Sequence, residues 1–254
     1  MFEHKDPDYL KFIVSIALAL VVLVVTAVIF DRKRLFSAKK SVFVISGPKS
    51  SGKTSLFELL TKKELPVLTV TSVEPNKGVL NLGSQIGSYE VIDFPGNEKL
   101  KSLYLYPFLK QNSTSLKGLI YMIDASQFSS EYCTEVATDL IKLYEITESV
   151  PNGVDFQLFC NKSDLFTSKK WTTIKTLLET EITQICKRQV LNLSQISSSD
   201  DQSDDTAGSL LATTFGDGKF LFERLDGNTE FAQGNVHKKS IEMVSNWLHE
   251  KAVN

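Results

Sequence analysis

Between Val42 and Leu60 the sequence reads VFVISGPKSSGKTSLFELL: an apolar, β-branched run, a stretch of small and polar residues, then apolar residues at helical spacing. No other segment restricts the fold so tightly. The intervening Gly47-Pro48-Lys49-Ser50-Ser51-Gly52-Lys53-Thr54 has the form G-x-x-x-x-G-K-[ST], with a strand pattern before it and a helix pattern after it. Glycine lets such a loop wrap closely, so that successive N–H groups point inward as an anion nest, and the helix N-terminus adds its positive end. Gly47, Pro48, Lys49, Ser50, Ser51, Gly52, Lys53, Thr54 and Ser55 are therefore candidate phosphate-binding residues. Lys53 would reach the β- and γ-phosphates, and the Thr54 hydroxyl would bind Mg²⁺. A buried strand feeding a helix through this loop commits the chain to an α/β architecture.

The downstream pattern agrees. Strand signals at 42–46, 78–82, 89–94, 119–124, 156–161 and 230–233 alternate with helical signals at 53–62, 99–111, 131–147, 170–191 and 238–251. Alternation of this kind predicts a mostly parallel six-stranded sheet with helices on both faces. The pair 78–82 and 89–94, joined by a short Gly/Ser loop, predicts an antiparallel hairpin at one edge. Ligands in such sheets bind beyond the carboxyl ends of the strands, where the polar motifs fall.

Residues 12–30, FIVSIALALVVLVVTAVIF, carry no charge. At about 1.5 Å per residue they reach roughly 28 Å, the thickness of a bilayer's hydrocarbon core. The flank 1–11 mixes charges, whereas Arg32-Lys33-Arg34 and Lys39-Lys40 follow the run, so the positive-inside bias places the C-terminal side in the cytosol. The expected organisation is a short lumenal 1–11, a transmembrane helix 12–30, a basic tether 31–40 able to lie against anionic head groups, and a domain at 41–254. Within that domain 192–209, NLSQISSSDDQSDDTAGS, is too poor in large apolar groups to offset its ordering entropy and predicts a flexible insertion. A net charge of −2 gives no argument for nucleic-acid binding. The three cysteines lack a C-x-x-C pair and fit a reducing compartment rather than a disulfide framework.

Two further stretches bear on which nucleotide is bound. In VIDFPGNEKL, Asp93 ends a strand and can hold Mg²⁺ through water, while the Gly96 N–H can meet a γ-phosphate. In LFCNKSDLF, Asn161, Lys162 and Asp164 follow an apolar strand. The Asp164 carboxylate matches the N1–H and exocyclic amine of guanine, a donor pair adenine lacks. Asn161 would brace the loop and the Lys162 stem would cover the ring. This argues against an ATPase or a kinase.

The chain resembles a small GTPase of the Ras/Arf-like group and, within it, the signal recognition particle receptor β-subunit family, most like a fungal member. The resemblance is carried by GPKSSGKTSLF, DFPGNEKLK, KGLIYMIDAS, ITESVPNGVDFQLFCNKSDLFTSKK and LDGNTEFAQGNVHKKSI, together with an anchor ahead of an Arf-like domain. It implies GTP and Mg²⁺ as ligands and a single-pass protein of the endoplasmic reticulum membrane with its GTPase domain in the cytosol. It also implies a receptor α subunit as partner for cotranslational targeting, with the translocon or ribosome as further candidates. A conventional cycling Arf-like GTPase of membrane traffic is the alternative. Where many small GTPases carry glutamine, and this family usually histidine, the chain has Asn97, shorter and a poor base. Asn97 is thus a weak water-positioning candidate, and hydrolysis is expected to be slow or partner-dependent. The switch ligand to Mg²⁺ lies among Thr69, Thr71 and Ser72, with Thr71 favoured. The Ser-Ala-Lys-type base loop of the group reads Gln233-Gly234-Asn235, with the Gly234 backbone as the base contact.

Overall fold

The computed structural model describes residues 18, 20, 41–83, 86–148, 151, 153–196 and 218–253. The chain divides into Met1–Lys40 and Ser41–Asn254. Of the first unit only Leu18 and Leu20 are described, both helical and exposed. Among the described residues no helix is long and apolar enough to cross a membrane. Apart from those two leucines, the span expected at 12–30 and its flanks 1–11 and 31–40 lie outside them.

The second unit is built on a sheet of six strands in the order β2-β3-β1-β4-β5-β6. These are β1 (Val42–Ser46), β2 (Asn76–Asn81), β3 (Ser88–Asp93), β4 (Leu116–Asp124), β5 (Phe156–Asn161) and β6 (Thr229–Gln233). Among the described strands only the β2–β3 pair is antiparallel, with Asn76 opposite Asp93, and it lies at one edge as expected. Every residue of β1 and β5 is buried, as befits strands covered on both faces.

Side-chain alternation sorts the core into two layers. Val42, Val44, Leu119, Tyr121 and Ile123 join one cluster; Phe43, Ile45, Ile120 and Met122 join the other. The first is capped by α2 (Tyr106–Asn112), α3 (Ser130–Thr147) and α4 (Trp171–Ile196). The second is capped by α1 (Lys53–Lys62) and α5 (Glu242–Val253). The loops after β1, β3, β4, β5 and β6 all leave the carboxyl ends of parallel strands, so they gather along one rim of the sheet.

Three expectations are corrected. The helix expected at 99–111 is a turn at Glu98–Leu100, a π-helical segment at Lys101–Leu105 and then α2. Pro107 has no N–H for the ladder and is accommodated in the first turn of α2, after the π segment. The helix expected from 238 starts at Glu242, because Asn235 and Ser240 bridge and put Lys239 at φ 56 in a tight turn. The helix expected at 170–191 is α4, which runs on to Ile196 over the first residues of the insertion expected at 192–209; 197–209 lie outside the described residues.

Candidate nucleotide-binding site

The loop after β1 holds a backbone course that needs glycine. Gly47 sits at φ +139, and a Cβ there would lie 2.3 Å from the Met122 carbonyl oxygen on β4. Gly52, at φ +96, ends the loop as the N-cap of α1. Ser51 Oγ and Lys53 Nζ both donate to the Pro48 carbonyl, at 2.9 and 2.6 Å, folding the loop over the start of the helix. Lys53 is buried, and burial pushes its pKa down to about 8 despite the opposing pull of Asp93. A cation this poorly compensated favours an anion beside it.

One cavity joins this loop to two other stretches. Its wall is formed by Lys49 to Ser55 with the exception of Ser51, by the stretch from Thr69 to Ser72, and by Phe94, Pro95 and Gly96. Asp93 Oδ2 accepts from Thr54 Oγ1 at 2.8 Å and from Asn76 Nδ2 at 3.1 Å. Asp93 Oδ1 is buried with no hydrogen-bond partner among the described residues, and burial raises the carboxyl pKa. A buried, unpartnered carboxylate oxygen beside a threonine hydroxyl suits a hydrated divalent cation. Ser72 Oγ lies 3.3 Å from Thr54 Oγ1 and accepts from Asn76 at 3.2 Å, whereas Thr71 is exposed on the cavity wall. Of the switch candidates it is therefore Ser72 that touches Thr54.

Gly96 packs hard against the loop. A Cβ there would stand 2.7 Å from Lys53 Nζ and 2.8 Å from the Lys49 amide nitrogen, so only glycine allows this approach. Asn97 points elsewhere. Its Oδ1 accepts from Lys99 N–H at 3.0 Å as the N-cap of the turn that follows, and it is absent from the cavity wall.

The other end of the rim is stitched by side chains from the end of β5 and the loop after it. Asn161 donates to the Ser51 carbonyl at 2.9 Å and accepts from Val236 N–H at 3.0 Å, tying the first loop to the last. Lys162, at φ 59, donates to Ser50 O at 3.1 Å and pairs with Asp124 at 2.5 Å. Ser163 N–H and Oγ both donate to the Gly234 carbonyl, at 3.1 and 2.9 Å. Asp164 accepts from Asn235 and pairs with Lys238 at 2.8 Å, and these contacts hold its carboxyl below the usual range. Lys53, Thr54, Asp93 and Gly96 thus converge at one end of the rim, and Asn161, Lys162, Asp164 and Gly234 at the other. Asn76, Asp124 and Lys238 were not singled out from sequence. Asp124 stands at a strand end and had a usable signal; Asn76 and Lys238 had none.

Comparison with known proteins adds an independent line. A model of the signal recognition particle receptor beta subunit family matches residues 38–229. The signal recognition particle receptor subunit beta of Saccharomyces cerevisiae is 35% identical over 209 residues, spanning 82% of this chain and 83% of that protein. Among solved structures, the mammalian SRP receptor superposes with a TM-score of 0.64 at 22% identity, over 83% of this chain and 99% of that one. The SRb-GTP/SRX complex from Chaetomium thermophilum also gives 0.64 at 22%, over 84% and 99%. At these identities the structural likeness speaks for the fold.

Proposed function

The chain belongs to the signal recognition particle receptor beta subunit family, and from that premise we propose that it is the membrane-anchored, GTP-binding subunit of the receptor. In this reading it docks the receptor α subunit at the endoplasmic reticulum membrane in its GTP state, for cotranslational protein targeting. Residues 12–30 form the single span, 31–40 the basic tether, and 41–254 the cytosolic GTPase domain.

The observation that carries the reading is the single cavity shared by the phosphate loop, Thr69 to Ser72 and Phe94 to Gly96. Stretches that meet at one cavity can be ordered together by one terminal phosphate, which is how a nucleotide state becomes a surface that a partner reads. The loop N–H groups and Lys53 hold the phosphates, and the Gly96 N–H meets the last of them. Thr54, Asp93 through water, and Thr71 or Ser72 would hold Mg²⁺, which when bound neutralises phosphate charge. Asp164 reads the guanine edge, Asn161 braces the loop, Lys162 covers the ring and Gly234 supplies its backbone to the base. Asn97, engaged as a helix cap, is poorly placed to orient water. Slow or partner-dependent hydrolysis follows, and a rapidly cycling Arf-like enzyme is disfavoured.

The test is competition of GTP and ATP on the solubilised chain, alongside Asp164→Asn, followed by capture of the α subunit in GTP and GDP. The amide presents a donor where an acceptor is needed, so GTP affinity should fall roughly tenfold to a hundredfold. Unchanged affinity and selectivity would remove Asp164 from the base site. Equal capture in GTP and GDP would replace the switch with a constitutive scaffold.

A further inference from the structure

Both oxygens of Asp164 carry donors supplied by the chain itself. Oδ1 accepts from Asn235 Nδ2, and Oδ2 pairs with Lys238 Nζ at 2.8 Å. The two donors are held very differently. Asn235 is buried, and its backbone exchanges hydrogen bonds with Ser240, at 3.2 Å as donor and 2.9 Å as acceptor. Its Oδ1 accepts from Lys238 N–H at 3.1 Å, which leaves the amide NH₂ turned to Asp164. The Lys238 side chain, by contrast, is 66% exposed and reaches the carboxylate on a flexible stem. One donor is fixed and the other is removable.

A guanine edge brings two N–H groups to one carboxylate. Each carboxylate oxygen has two lone-pair directions, so Oδ1 has room for Asn235 and one base N–H together. Oδ2 has the same two directions, but the full charge and bulk of the Lys238 ammonium paired there draw on the acceptor and crowd the approach of the second base N–H. We propose that Lys238 competes with the guanine edge for Asp164, and that Asn235 is a positioning residue that sets the carboxylate's orientation toward the base. The pair thereby tunes nucleotide affinity and base selectivity. The inference rests on the assignment of Asp164 as the base-reading residue. The stitching of Ser163 to Gly234 and of Asn161 to Val236 supports it, because the loop that carries Asp164 and the loop that carries Asn235 are then tied to each other.

The experiment measures equilibrium affinities of the detergent-solubilised full chain for GTP and for inosine triphosphate, whose base lacks the exocyclic amine, at low and high salt. Lys238→Met should tighten GTP binding by about two- to fivefold at low salt, with the gain shrinking as salt screens the pair. Asn235→Ala should weaken GTP several-fold and compress the ratio between the two nucleotides, a readout that loss of stability alone would not move. If Asn235→Ala does not fold, Asn235→Gln displaces the donor and carries the same expectation. Unchanged or weaker GTP binding in Lys238→Met overturns the competition, and an unaltered ratio in the Asn235 variant overturns the positioning role. A parent chain that prefers no guanine nucleotide sinks the base-site assignment itself, an outcome separate from either.

Discussion

Lys101→Met isolates the least expected interaction in the domain. Lys101 Nζ pairs with the Asp139 carboxylate of α3, and both side chains are only 3% exposed. Tyr121 OH donates to Asp139 Oδ2 at 2.5 Å and Tyr106 OH to Oδ1 at 3.2 Å. Burial, reinforced by Asp139, pushes the Tyr121 pKa far up, so this hydroxyl stays a donor at any working pH. Removing one partner of a buried pair costs about 3–5 kcal/mol, because the other charge is left uncompensated. Here two tyrosine donors remain on Asp139, which argues for the lower end, about 3 kcal/mol. With an m-value of about 2 kcal/mol per molar urea, the midpoint should fall by about 1.5 M. Adding Asp139→Asn removes the stranded charge while keeping an acceptor for Tyr121, so the double variant should be more stable than Lys101→Met alone. The assay is urea unfolding of the solubilised chain at fixed nucleotide and Mg²⁺, since bound ligand shifts apparent stability. A loss below about 1 kcal/mol, or a double variant no better than the single, would refute the idea that this pair pins the segment after Gly96 to α3.

Three other outcomes are expected. Below pH 8 Lys53 is charged in folded and unfolded chains alike and its burial cost is fully present; between about 8 and 10.5 the folded state loses the proton first, so that cost is relieved as pH rises. Phosphate binding has the opposite sign: GTP affinity should hold to about pH 8 and then fall by up to about tenfold per unit, and a titration flat to pH 10 would contradict it. Asn97→Ala should lower stability by about 1 kcal/mol through the lost N-cap while leaving GTP affinity and single-turnover hydrolysis nearly unchanged; a large loss of turnover would show that Asn97 orients water. Deletion of residues 1–30 should yield a chain that partitions away from membranes and still binds GTP, and a truncated chain that binds no nucleotide would place part of the core in that segment.

The sequence by itself carried the α/β class, the edge hairpin and most of the rim, because these are local consequences of residue order. Strand β1 and helix α1 are periodic, and the loop between them admits few backbone courses once Gly47 and Gly52 are in place. Asn161 ends β5 and Asp164 lies three residues beyond it, so the end of a strand fixed their place on the rim. What the sequence left open depends on residues far apart in the chain. Lys101 reads as an ordinary exposed helix lysine, but the π-helical register before Pro107 turns it inward onto Asp139 and Tyr121, partners that only the stacking of α3 on β4 brings within reach. Asn97 reads as a neighbour of the terminal phosphate, yet a free amide N–H at a helix start is the stronger local partner for its side chain. Thr71 and Ser72 are indistinguishable by motif; the approach of Asn76 to Asp93 brings Ser72 against Thr54. Lys238 carries no motif at all, and its bond to Asp164 exists because the Asn235–Ser240 turn folds the last loop back over the fifth strand's end. Local order wrote the scaffold and the anion cradle, and long-range packing decided which side chains face one another across the rim.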